Sequence, residues 1–281
     1  MGQPSQRAKA ESLRALHHAP HALVLVNIWD VASALVVQQA GFRAIATSSS
    51  AVSSSLGYPD GERISADEML AAVERIARRL AVPLTADMEA GYVREPEQLA
   101  DLVGRLIAAG AVGLNLEDGT DPATGTLVPL AEATERVRIV REAADGAGIP
   151  IVINARTDVR LDRAPDSEDD LGEAIARLRA YRDAGADCLF PIGARKSATI
   201  AVLIRELSCP INILAGVGAP SVHELETMGV ARISLGGAPQ RATLGTLVRI
   251  ATEMREAGTY HSLEDALTHH ELEELMAAEP R

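Results

Sequence analysis

The sequence predicts a single (β/α)8 barrel of the TIM type, on three observations. Short apolar runs alternate with amphipathic stretches along nearly the whole chain, the period switching from strand-like to helix-like eight times. Glycine recurs where a helix hands over to a strand, in Gln39-Ala40-Gly41-Phe42, Ala108-Ala109-Gly110-Ala111, Asp183-Ala184-Gly185-Ala186 and Met228-Gly229-Val230. A helix C-terminus needs a left-handed residue there. Acids close two successive apolar runs, in Thr85-Ala86-Asp87-Met88-Glu89 and Leu116-Glu117-Asp118. A carboxylate ending a buried strand is costly unless it is paired or bound to a cation, and barrel enzymes gather their reacting groups at those strand ends. An open, doubly wound sheet is the alternative; no Gly-x-Gly-x-x-Gly follows the first strand to support it.

The elements follow in order. Ala22–Asn27 reads as the first strand and Val31–Gln39 as its helix. Ala44–Thr47 is the second strand; a Ser-rich loop follows, then a helix from about Ala66 to Arg79 with Ser65 as N-cap. Pro83–Met88 precedes the helix Pro96–Ala109, and Val112–Leu116 precedes Leu130–Ala144. Ile149–Ala155 leads to Asp170–Ala184, Cys188–Pro191 to Ala198–Leu207, Pro210–Leu214 to Ser221–Met228, and Ala231–Leu235 to Gln240–Glu256. The chain reads as one domain over residues 1–281. Residues 258–281 form an amphipathic helical extension that must dock on its own barrel or on a neighbouring subunit.

Composition narrows the function. Aromatic residues are only 2% of the chain, so aliphatic side chains pack the core, as in buried parallel strands. The net charge of −12, with no basic stretch, excludes nucleic acid as the main partner. No run reaches the roughly 20 apolar residues of a membrane helix, and the polar N-terminal segment has no signal-peptide core, so a cytoplasmic location is expected. Cys188 and Cys209 lack zinc-site spacing and read as buried, reduced thiols. None of the seven histidines falls at a strand end, which disfavours a zinc site or a Ser-His-Asp triad.

Strand ends one to five carry the polar residues. Asp87, Glu89 and Glu117, joined by loop residue Asp60, are candidates for an oxygen-only shell around Mg2+ or Mn2+, with some acids acting through water. Helix capping and ion pairing are the alternatives. Arg156 ends an apolar strand, and its fork suits a substrate carboxylate; an internal pair with Glu117 or Asp158 is the competing use. Ser48, Ser49 and Ser50 offer hydroxyl and backbone N–H donors to an oxyanion, or form a plain turn.

From about Leu23 to Gly258 these motifs resemble the isocitrate lyase and phosphoenolpyruvate mutase superfamily. The resemblance rests on Trp29-Asp30, on Gly41-Phe42-Arg43-Ala44-Ile45 through Ser48 to Gly57-Tyr58-Pro59-Asp60, on Asp87-x-Glu89-x-Gly91-Tyr92, on Leu116-Glu117-Asp118 and on Ala155-Arg156-Thr157-Asp158. It implies a Mg2+-dependent enzyme acting on small 2-oxo or 2-hydroxy carboxylic acids, making or breaking a C–C or P–C bond beside a pyruvate unit. By the same resemblance Asp87 is the principal metal ligand and Asp60, Glu89 and Glu117 hold its waters. Arg156 binds the substrate carboxylate, Ser48 touches the pyruvoyl oxygens, and Trp29 belongs to the substrate pocket. It also implies a homo-oligomer, a tetramer or a dimer, that exchanges its C-terminal helix.

Two departures matter. The superfamily's lyases carry Lys-Arg-Cys-Gly-His after the fourth strand, whereas this loop, Gly119 to Leu127, has no Cys, Lys or His. Its mutases place Lys and Asn there, where this chain has Ala123 and Gly125. The expectation is therefore a lyase or decarboxylase that works without the Cys acid. A P–C bond enzyme, or a barrel that binds metal and carboxylate without turnover, are the alternatives.

Overall fold

The computed structural model describes residues 4–119, 126–161 and 168–278. Among these residues eight parallel strands alternate with helices. The first, β1, is interrupted at Val26 into Leu23–Leu25 and Asn27–Ile28; then come β2 (Ile45–Thr47), β3 (Leu84–Asp87), β4 (Gly113–Glu117), β5 (Val152–Thr157), β6 (Cys188–Pro191), β7 (Asn212–Leu214) and β8 (Arg232–Ser234). The second half of β1 pairs with β2, and pairing runs on to β6. The first half of β1 pairs with β8, which pairs with β7. A parallel bridge between Leu189 and Ile211 joins β6 to β7, with Leu189 N donating to Pro210 O at 2.9 Å. The sheet therefore closes on itself, and the expected barrel is present.

The helices are α1 (Gln6–Leu16), α2 (Val31–Gln39), α3 (Ser49–Ser55), α4 (Ala66–Ala77), α5 (Pro96–Ala108), α6 (Leu130–Gly146), α7 (Glu168–Asp183), α8 (Ser197–Leu207), α9 (Val222–Met228), α10 (Ala238–Glu256) and α11 (His269–Ala277). Ser65 caps α4 as expected, in a reciprocal capping box with Glu68. Most buried aliphatic residues of the strands and of the inner helix faces form one continuous core.

Two helices correct the sequence reading. The Ser-rich stretch is helix α3, not a loop. Serine is a weak helix former because its hydroxyl competes for backbone groups, but tertiary contacts override that here. Ala51 and Val52 are buried, and Gln240 of α10 donates to Ala51 O at 2.7 Å and accepts from Ser54 Oγ at 2.7 Å. The polar N-terminal segment contains α1, whose Ala10, Leu13 and Leu16 share one buried face. That face seals the amino-terminal end of the barrel against Leu23, Ala44, Val112 and Val152. Gly113 opens β4 there because a Cβ would lie 2.9 Å from Leu13 Cδ2 and 3.0 Å from Thr85 Oγ1.

The extension is partly docked. Helix α11 packs on α2, and Arg79 Nη2 donates to Met276 O and Ala278 O at 2.7 and 3.1 Å. Helix α10 lies differently: Leu244, Leu247, Val248 and Met254 are exposed, and Gln240 is its buried residue. No helix among the described residues is long and apolar enough to cross a membrane. Cys188 and Cys209 are free thiols, and burial pushes them up to about 12 and about 11.

Candidate active site

The acids converge on the carboxyl end of β3, β4 and β5. Asp87 ends β3 and is oriented by three donors: Ser49 N and Ser49 Oγ reach its Oδ2 at 2.9 and 2.8 Å, and Asn115 Nδ2 reaches its Oδ1 at 3.0 Å. Glu117 ends β4 and meets Arg156 Nη1 at 2.5 Å. Arg156, on the neighbouring β5, also donates from Nε to Asp158 Oδ1 at 2.6 Å and lies 5.9 Å from the Phe190 ring centroid. The internal pairing weighed for Arg156 is thus present, with both acids at once. A guanidinium has five N–H donors, so these two bonds leave capacity for a substrate carboxylate.

Glu89 is held by a second network. Its Oε1 accepts from Tyr92 Oη at 2.8 Å and its Oε2 from Glu62 N at 2.8 Å, while Tyr92 N donates to Glu62 Oε1 at 2.6 Å. Glu62, Glu89 and Tyr92 all have positive φ, at 55°, 49° and 58°. Non-glycine residues in that region store strain, which collects at functional sites. Tyr92 stood within a quoted motif, but Glu62 carried no sequence signal; its importance lies in its backbone.

Electrostatics show what the cluster lacks. Burial pushes the Glu89 carboxyl up to about 7, and Asp60 and Asp87 push the same way. Burial also raises Glu117 well above the usual carboxylate range; Arg156 pulls it back, while Asp158, Asp87 and Glu89 raise it further. Asp87, Glu117 and Asp158 thus face the Arg156 guanidinium, with Glu89 and, through its field, Asp60 beside them. Among the described residues no three His, Cys, Asp or Glu side chains lie close enough to grip one ion directly. Mg2+ fits such a site, because it takes one or two carboxylates and keeps several waters. The donor set, all oxygen and short of positive charge, suits that ion.

The other expected residues divide. Ser48 is buried, and its Oγ pairs with Ser50 Oγ at 3.0 Å. Ser49 is committed to Asp87, which corrects its expected place as an oxyanion donor: both its N–H and its hydroxyl are spent on the carboxylate. Asp60 is exposed on its loop, reaching Glu89 through its field. Among the described residues no hydrogen bond ties Trp29 to the acids; it lines a 120 Å3 cavity with Val31, Val52, Leu56 and Ala72. Asp118 is structural, accepting from Thr157 Oγ1, Asp158 N, Arg177 Nη1 and Tyr181 Oη at 2.7 to 3.2 Å. Residues 120–125, with Ala123 and Gly125 of the expected gating loop, lie outside the described residues.

Comparison with known proteins places this geometry. The phosphoenolpyruvate phosphomutase family profile matches residues 13–255. The chain belongs to the phosphoenolpyruvate mutase and isocitrate lyase superfamily. It is 36% identical over 233 residues to the uncharacterised protein Rv1998c of Mycobacterium tuberculosis H37Rv, covering 83% of this chain and 84% of that one. The crystal structure of a lyase/mutase-type protein from Burkholderia cenocepacia J2315 superposes with a TM-score of 0.90 at 35% identity, covering 98% of each chain. Oxaloacetate acetylhydrolase, solved with its product oxalate, superposes with a TM-score of 0.84 at 26% identity, covering 98% of this chain and 95% of the other. Superfamily relatives are enzymes, among them 2-methylisocitrate lyase and phosphoenolpyruvate phosphomutase.

Proposed function

We propose that this enzyme is a Mg2+-dependent lyase or decarboxylase that cleaves a C–C bond in a small 2-oxo or 2-hydroxy carboxylic acid, leaving a pyruvate-type enolate. The observation that carries the reading is the crowding of acids at the barrel mouth, where Asp87, Glu89, Glu117 and Asp158 gather beside a guanidinium with donors to spare. When bound, Mg2+ polarises the 2-oxo group and offsets the negative charge that develops on cleavage. Asp87 would hold it through Oδ1, and Asp60, Glu89 and Glu117 would accept hydrogen bonds from its hydration water. Arg156 binds and orients the substrate carboxylate, and the paired hydroxyls of Ser48 and Ser50 face the pyruvoyl oxygens. An oxaloacetate-type diacid suits the site, since carbon dioxide leaves without protonation by the protein. The oxaloacetate acetylhydrolase likeness supports C–C cleavage of a diacid.

The P–C alternative is favoured by the phosphomutase profile, although the loop residues Ala123 and Gly125 depart from the mutase pattern. A panel of 2-oxo and 2-hydroxy diacids and phosphonopyruvate, each with and without Mg2+, separates the two. The expected result is Mg2+-dependent C–C cleavage that Asp87→Ala reduces at least about 1000-fold, a loss of roughly 4 kcal/mol in transition-state stabilisation. Turnover of phosphonopyruvate alone would move the enzyme to P–C chemistry, and an undiminished Asp87→Ala rate would sink the metal assignment. The exposed face of α10 supports a homo-oligomer, dimer or tetramer, built through the C-terminal helices; light scattering reads its mass directly.

A further inference from the structure

Below the acid cluster, inside the barrel, lies a buried cation. Arg232 opens β8, in register with Leu23 and Asn212, and is 1% exposed. Its Nη2 donates to Asn115 Oδ1 at 3.1 Å, and its Nε and Nη1 have no partner among the described residues. Among the described residues no ion pair engages it, although the field of Asp87 reaches it. Burying a guanidinium without a contacting carboxylate costs several kcal/mol, and an aliphatic side chain would fill the space without that cost. What Arg232 touches is therefore informative.

Asn115 Oδ1 accepts from two donors, Arg232 Nη2 and Asn154 Nδ2, the second at 2.8 Å. A guanidinium cannot accept, so Arg232 fixes which end of the Asn115 amide is oxygen. Its Nδ2 is consequently aimed at Asp87 Oδ1. On the other side, Ser49 N and Oγ both donate to Oδ2. A carboxylate oxygen has two lone-pair directions. Oδ2 is full; Oδ1 keeps one.

We infer that Arg232 and Asn115 are positioning residues for Asp87: the buried guanidinium orients the Asn115 amide, and the amide presents the one remaining lone pair of Asp87 Oδ1 to the cation. The inference rests on the proposed Mg2+ site and adds to it a chain of bonds running down the barrel axis. Groups that orient metal ligands typically change metal affinity 10- to 100-fold when removed.

Mg2+ affinity of the full chain, measured calorimetrically without substrate, provides the test. Asn115→Leu and Arg232→Met should each weaken binding about 10- to 100-fold. Arg232→Lys, which still donates to Oδ1, should recover most of the loss. The double variant should bind no more weakly than Asn115→Leu, because both changes cut one chain of bonds. Wild-type affinity in Arg232→Met, or losses that simply add, would overturn the inference. If Arg232→Met does not fold, Asn115→Leu decides: wild-type Mg2+ affinity there also overturns it. Wild-type protein that takes up no Mg2+ refutes the metal reading itself, an outcome distinct from wild-type uptake that the variants leave unchanged.

Discussion

Asp187 and Asp87 sit at opposite ends of the same barrel, and their surroundings differ. Asp187, just before β6 at the amino-terminal end, is paired with Arg141 and Arg14 and accepts from Ile153 N at 2.9 Å. Asp87, at the carboxyl end, shares its neighbourhood with Glu89, Glu117 and Asp158, with Arg156 beside them and Arg232 below. One end has an acid fully paired with cations, an apolar seal from α1 and a tightly fitted glycine; the other has repulsion, strained backbone and donors to spare. Barrels divide labour this way, with stability at the amino-terminal face and chemistry at the carboxyl face. The charge that the upper end lacks is the part that the proposed divalent ion would supply.

Perturbing each end should break different properties. The largest effect is expected at the seal. Leu13→Ala should cost about 2–5 kcal/mol of stability, since Leu13 is fully buried and its site has little room to collapse. Chemical denaturation reads that loss, while Mg2+ affinity in the folded protein should stay unchanged. A Leu13→Ala variant that lost Mg2+ affinity would show the two ends to be coupled.

Next is Arg156→Lys. A single ammonium cannot keep Glu117 and Asp158 and also grip a carboxylate in bidentate fashion. Losing one charge-assisted bond of about 1.5–3 kcal/mol should raise KM about 10- to 100-fold. An unchanged KM with a lowered melting temperature would make Arg156 a purely internal brace.

The smallest effect is in pH dependence, at most about 1.4 kcal/mol per pH unit for one proton. At the sealed end, burial and then Arg232 lower His17 to about 3. Its unfolded form binds a proton first, so stability falls as pH drops from about 6.5 toward about 3. At the mouth, Glu89 is raised to about 7, so the folded form holds the extra proton and stability falls as pH rises from about 4.5 through about 7. In metal-free protein the two slopes oppose each other where they overlap. Thermal melts of His17→Leu and Glu89→Gln across that range should separate them, each difference from wild type growing toward the opposite pH extreme. A flat difference would remove the residue from the account.

Much of this division was legible in the sequence. Alternating periodicity and post-helix glycines located the eight units, because buried parallel strands and helix ends have strong local signatures. The acids were found because an acid ending an apolar run is anomalous. Helix α3 was missed because its serines favour a loop and only packing against α10 makes them helical. Helix α1 was missed because a stripe of Ala10, Leu13 and Leu16 is faint in a polar segment. Asn115 and Arg232 were invisible for another reason: inside strands they read as minor interruptions, and their meaning lies in cross-strand hydrogen bonds. Ser49 was read as a donor to substrate because sequence cannot tell which acceptor a hydroxyl will reach first.

The seal has a further consequence during synthesis. Helix α1 leaves the ribosome before any of its docking surface exists, and Val112 and Val152 follow on the order of a hundred residues later. At typical elongation rates of about 5–20 residues per second, its leucines wait on the order of ten seconds for their berth. The nascent chain therefore carries an unpaired greasy helix until its fourth and fifth strands have been made, and closing the barrel floor waits on them.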